Sequence, residues 1–287
     1  MIKKLLTAIL GFSLITNAFG QDYKITPEID LKDFFNNHSD CSVLLEDGLY
    51  ERTGDTLVLD NVSVFGDFNY PLLNSLEVNG LAWMPVTSDF PNIQDNILLK
   101  NSSLENIVLH GGNNNRPSIQ IGNGNNDVSN CLIYNGGVGG IFFDNTSANI
   151  SYNIIRECNA GLEFCDGFDR QNSMVYSNAI IDCTWGVYCA GELALGDVGE
   201  ENKFIGYEGN NILKNRINIM NLFDRLNKAE GNWWYDQEGN LLTSEGDIQN
   251  TIINYGLNKS NSGVDVVPFK DYDYFEQTTA VENWDMY

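Results

Sequence analysis

Apolar and polar residues alternate in short stretches along most of this chain, and in its middle the alternation itself repeats. Cys131-Leu132-Ile133, Asn153-Ile154-Ile155 and Asn178-Ala179-Ile180-Ile181 superimpose almost residue for residue, each opening a short apolar stretch. A polar turn follows, then a glycine and a second alternation: Gly140-Ile141-Phe142-Phe143, Gly161-Leu162-Glu163-Phe164 and Gly186-Val187-Tyr188-Cys189. The glycines recur at intervals of 21 and 25 residues. A period of this kind, with an insertion-tolerant turn, predicts stacked units that cannot bury their apolar faces without a neighbour. Units of about 22 to 25 residues, rich in β-branched side chains and Asn/Gly turns, hold two or three strands and no helix. They predict the coils of a parallel β-solenoid.

The flanking regions extend this pattern. Leu31-Lys32-Asp33-Phe34-Phe35 spaces its apolar residues as a short amphipathic helix, suited to covering the raw apolar end of a solenoid. Ser42 to Leu45, the Asp47-Gly48 turn and Leu49-Tyr50 read as strand, turn and strand, continued by Leu57-Val58-Leu59 and by Val62 to Gly66. Residues 69–96 are irregular, with three prolines and Trp83-Met84, and predict a coil carrying a long side loop. Strands resume at Ile97 and Asn106, and looser coils follow near Phe204, Asn211 and Ile217, with a second loop predicted at 191–201. Beyond Glu238 the strand signal fades, and acidic, aromatic residues 271–287 are expected to pack along the solenoid or cover its lower end. The expected division is a leader at 1–20, an N-terminal cap at 21–42, the solenoid at 43–238 and a C-terminal segment at 239–287.

The leader carries Lys3 and Lys4, an apolar run from Leu5 to Ile15, and small residues at Ala18-Phe19-Gly20, the pattern of a secretory signal peptide. That run is short for a membrane span, so the mature protein is expected to be secreted or periplasmic, not inserted in a membrane, and monomeric. Loss of the two lysines takes the formal net charge from −23 to −25. A field of that sign repels nucleic acid and anionic membrane surfaces, and disfavours polyanionic polysaccharides unless a divalent cation bridges the carboxylates. All six cysteines follow the leader and show no zinc-site spacing. Cys158 and Cys183 take the same place in consecutive repeats, three residues before Gly161 and Gly186. Coils stand about 4.8 Å apart, within reach of a disulfide, so a Cys158–Cys183 bridge is expected in an oxidising compartment.

The pairing of Asn-x-Ile with Gly-aliphatic-x-apolar resembles the repeats of parallel β-helix proteins of the pectate-lyase-like superfamily. Val43 to Tyr50 is similar to the opening of such helices. Ala229-Glu230-Gly231-Asn232-Trp233-Trp234, with Val264 to Pro268, is similar to their closing segment. The resemblance implies an all-β fold: a single-stranded right-handed parallel β-helix, here with a short N-terminal capping helix. It does not imply one activity, because this superfold hosts lyases, hydrolases, tailspikes and adhesins. The paired aspartates and Gly-His-Gly of polygalacturonases are missing, as are the basic motifs of pectate and alginate lyases. Five Met and two His form no soft-ligand cluster, which sets copper binding aside.

In members with this resemblance, polysaccharide lies over the outer face of the strand that follows each glycine. Side chains alternate with period two, so if Ile141, Leu162 and Val187 point inward, Phe142, Glu163 and Tyr188 form an outward row. Gln120 extends it in the preceding coil and Asn218 in a later one, with Arg116 nearby. Aromatic rings, amides and carboxylates together suit sugar binding. Glu163 with Asp144 or Asp166 would serve glycoside hydrolysis, and Tyr188 beside an arginine would serve a lyase. Asp144 and Asp166 also offer hard oxygens to calcium, the one cofactor suggested. Against these roles stands the plain one, since outward solenoid positions must be polar or aromatic in any case. Asn130, Asn153 and Asn178 are expected to form an internal turn ladder, and Trp233-Trp234 a core plug. The expected function is engagement of extracellular polysaccharide as a binding or surface module, or as a lyase or hydrolase in the same groove.

Overall fold

A computed structural model of the chain describes residues 21–51, 54–67, 90–111, 115–144, 146–164 and 174–189, then 211–213, 217–221, 226–228, 232–236, 240–254 and 263–265. The chain winds repeatedly through three parallel sheets of seven, eight and eight strands, the arrangement of a parallel β-solenoid. We call them A, B and C in the order the chain meets them. One coil runs through Asn125–Ser129 in sheet A, Leu132–Tyr134 in sheet B and Gly139–Phe143 in sheet C. Each strand pairs in parallel with its counterparts one coil before and one coil after, as Leu132 does with Val108 and Ile154.

The corner from sheet A to sheet B takes two residues at 106–107, 130–131, 152–153 and 177–178. The first of each pair, Asn106, Asn130, Tyr152 and Ser177, is in the left-handed region. That conformation turns the chain sharply; asparagine tolerates it, but Tyr152 and Ser177 do so less readily, so tertiary pairing holds them there. The second residue points inward. Asn153 Oδ1 accepts from the Cys131 amide (2.9 Å) and Asn178 Oδ1 from the Asn153 amide (3.0 Å). Both asparagines are fully buried, and their Nδ2 groups donate to Val128 O and Ile150 O. This is the expected ladder, shifted by one residue: Asn130 is not a rung of it, and instead donates to Asn106 Oδ1 at the rim.

The glycines after sheet B mark another tight corner. A Cβ on Gly161 would stand 2.5 Å from Ile180 Cγ2 and 2.6 Å from Gly186 O, and one on Gly140 meets Ile155 and the Gly161 carbonyl as closely. Only glycine lets the strand approach sheet B so nearly. Inside, Phe143 stacks on Phe164 with centroids 4.4 Å apart, and Cys189 takes the next place in register.

Sheet B departs from the alternating pattern. Val108, Leu132, Ile154 and Ala179 form one register row, adjacent in sequence to the inward Leu109, Ile133, Ile155 and Ile180. Both rows are at most 1% exposed, so these strands are buried on both faces and read as continuous apolar runs.

Cys158 and Cys183 are neighbours, but as two thiols and not as the expected disulfide. Cys183 hydrogen-bonds Cys158, and each Sγ also donates to the carbonyl two residues back, Arg156 O and Ile181 O. Burial, then the neighbouring Cys158, raises the Cys183 thiol well above the usual range.

At the N-terminus, α1 (Leu31–Asn37) forms as expected, capped by Asp30, whose carboxylate accepts from the Lys32 and Asp33 amides. It buries Leu31 and Phe35. Just before it, Gln21–Ile25 is a strand paired with Cys41–Leu45, so sheet A begins ahead of Val43. At the other end Ile252–Asn254 adds to sheet C after a short helix, α2 (Glu245–Asn250), so strands continue past Glu238. Trp234 is fully buried. Residues 69–89 of the loop predicted at 69–96 and all of 191–201 lie outside the described residues, and Pro91–Ile93 near the end of the first is a strand of sheet B paired with Gly48–Tyr50 instead of loop. Among the described residues no helix is long and apolar enough to cross a membrane.

Candidate functional site

The outer face of sheet C carries one continuous register row: Val58, Leu98, Gln120, Phe142, Glu163 and Tyr188. Each is one strand from the next, a step of about 4.8 Å. Ile141, Leu162 and Val187 beside them are fully buried, which turns the intervening side chains outward. Phe142, Glu163 and Tyr188 are half-buried, so the row lies in a shallow surface and not on a crest.

Glu163 sits between the two aromatic residues. Its Oε2 is 3.5 Å from where a Cβ on Gly139 would stand, so the carboxyl lies back over a gap left by that glycine. Burial raises this carboxyl above the usual range. Trp185, three residues before Tyr188, tilts against it with centroids 5.1 Å apart and an interplanar angle of 36°. Neither Gly139 nor Trp185 stood out in the sequence. Both precede the glycines of the repeat and occupy one register row through Ala160, which is the signal that would have found them.

The remaining predicted residues scatter. Asp144 follows Phe143 just past the strand end, is exposed, and accepts from Gln120 Nε2 at 3.2 Å. Asp166 lies outside the described residues, so the Glu163/Asp166 pair and the Asp144/Asp166 calcium pair lie in part outside them. Among the described residues no three His, Cys, Asp or Glu side chains converge as a metal site. The row passes from Tyr188 to Met220; Asn218 lies two residues earlier, between the partners of Trp185 and Val187. Arg116 is not beside Tyr188 but at the other end of the sheet, bonded to the Thr56 hydroxyl. Lys100 shares the face as the partner of Asp60, four strands from Tyr188 or about 19 Å away.

The arrangement presents a carboxyl flanked by aromatic rings, an amide and a second carboxylate one coil away. It can accept hydrogen bonds from hydroxyl groups and offer flat apolar surface beside them. A scan against models of known protein families finds no match for the chain, and comparisons with curated proteins and with solved structures find none either.

Proposed function

We propose that this chain is an exported, right-handed parallel β-helix of the pectate-lyase-like kind that holds extracellular polysaccharide across sheet C. Right-handed winding is the hand that parallel crossover connections overwhelmingly take. The observation that carries the reading is Glu163, half-buried between Phe142 and Tyr188 in one register row. A pyranose laid along such a row meets ring faces on its C–H side and acceptors on its hydroxyls. A neutral polysaccharide suits a chain of net charge −23 better than a polyanion.

Binding without cleavage is the first reading. Glu163 has a flat row around it, and Asp144 is turned to Gln120. A hydrolase is the second, favoured by the raised Glu163 carboxyl, the property a general acid needs. A lyase is least favoured, because Arg116 and Lys100 stand far from Tyr188 along the sheet.

The test is binding of the purified protein to a panel of neutral and acidic polysaccharides, with and without calcium, while new reducing ends and unsaturated uronate are followed. Retention on a neutral polysaccharide, weakened by Phe142→Ala and Tyr188→Ala without product, is the expected result. Reducing ends that vanish in Glu163→Gln would make the protein a hydrolase. Failure to bind any member of the panel would overturn the reading.

A further inference from the structure

A second groove of about 550 Å³ lies on the outer face of sheet A, toward the N-terminal end. Its floor is set by four neighbouring strands, Gln21–Ile25, Cys41–Leu45, Val62–Gly66 and Ser103–Glu105. One register row reads Asp22, Ser42, Ser63, Ser103 and, one strand further, Asp127. The next reads Lys24, Leu44, Phe65 and Glu105. Hydroxyls thus run down the middle with carboxylates at both ends, beside an apolar pair.

Two observations mark this as more than surface. Ser42 is 4% exposed and its hydroxyl has no hydrogen-bond partner, whereas Ser103 Oγ donates to Ser63 Oγ at 2.7 Å. A buried hydroxyl left without a partner is rare and asks for one. The charges are also unbalanced. Lys24 is held by Glu46 at 2.7 Å and also draws Asp67, so one lysine stands against Asp22, Asp67 and Glu105 in the groove.

We propose that this groove binds a linear aliphatic polyamine laid along the serine row. Asp22 and Glu105 stand on strands three steps apart and two residues apart along them, about 16 Å between backbones, a gap that their side chains shorten to the reach of a chain carrying amino groups at both ends. Its ammonium groups pair with the end carboxylates, and an inner amine donates to Ser42 Oγ. The methylenes between them cover Leu44 and Phe65. A neutral sugar would satisfy the hydroxyls and leave the carboxylates unmatched, and an anion would meet their repulsion.

The test is titration calorimetry of the full chain with spermidine at physiological ionic strength, in a background of magnesium. Asp22→Asn and Glu105→Gln are each expected to raise the dissociation constant about tenfold, the loss of one charge-assisted hydrogen bond. Ser42→Val is expected to weaken binding as well, while Glu51→Gln, an exposed acid outside the groove, leaves it unchanged. Circular dichroism melts of each variant show that it is folded, and Glu163→Gln, which belongs to the sheet C reading, has no effect here. Equal loss in every acid variant, or full displacement by magnesium, would reduce the effect to bulk charge and overturn the proposal. So would no binding, or displacement of spermidine by a neutral oligosaccharide.

Discussion

Replacing Asn153 by alanine should unfold this protein far more readily than its size as a substitution suggests. The side chain is fully buried and makes three hydrogen bonds: it accepts from the Cys131 amide at 2.9 Å and donates to Val128 O and Asn178 Oδ1, each at 2.9 Å. Alanine leaves the Cys131 N–H without an acceptor, takes a donor from Val128 O and opens a small void. An orphaned buried amide alone costs about 1–3 kcal/mol, so the whole change comes to about 2–4 kcal/mol. Against a typical total of about 5–15 kcal/mol, that is a large fraction. Asn149→Ala in the strand just before it is the control, since it loses one solvent-facing bond, to Asp127 at 2.8 Å, and should change stability by no more than about 0.5 kcal/mol. Urea unfolding followed by circular dichroism measures both, with the slope checked because stacked coils can lose cooperativity. If the two variants unfold within about 0.5 kcal/mol of each other, the internal ladder is not what holds this corner.

Gly161→Ala should destabilise by about 1–3 kcal/mol, because its Cβ meets the Gly186 carbonyl and Ile180, whereas Gly246→Ala in α2, with open space around it, should stabilise by up to about 1 kcal/mol; thermal melts decide both. The Glu163 carboxyl is raised by burial, so its contribution to stability is present below the ordinary carboxylate range and lost as pH rises through its folded value. Glu163→Gln should therefore melt higher than the parent at pH 7, with the difference shrinking as pH falls to about 4; a gap independent of pH would refute the burial. The buried, raised Cys183 thiol should react with a thiol reagent only after denaturant is added, and rapid labelling of the native protein would contradict its placement.

Much of this architecture is legible in the residues, for a physical reason. Gly140 and Gly161 recur because a corner admits no Cβ, and an inward row must be apolar, so Phe142, Glu163 and Tyr188 fall on one face by the pattern alone. What escaped depends on register across corners of unequal length. Asn218 stands two residues out of step with the row and Asn130 one with the ladder, because nothing in a lone sequence says where an insertion falls. Sheet B escaped differently: Leu132-Ile133 and Ile154-Ile155 are apolar on consecutive residues, which period-two reasoning takes for a single buried face. The groove on sheet A escaped because Ser42, Ser63 and Ser103 lie on different coils, 21 to 40 residues apart, and look like ordinary outward polar residues one at a time.

The two-residue corners at 106–107, 130–131, 152–153 and 177–178 have a consequence for how this molecule tolerates change. At 152–153 and 177–178 the left-handed residue and the buried rung leave no room for an added residue without breaking the stack of rungs. The spans on either side of sheet C vary: they run from two residues at 94–95 to seventeen at 235–251 before it, and from one residue at 61 to nine at 165–173 after it. Sequence length is therefore fixed at these two corners and varies at the margins of the candidate face, as it also does at 67–90 between Val62–Gly66 and Pro91–Ile93. New loops grafted at 157–159 or 165–173 would reshape what lies over Glu163 without touching the asparagine rungs that carry the stack.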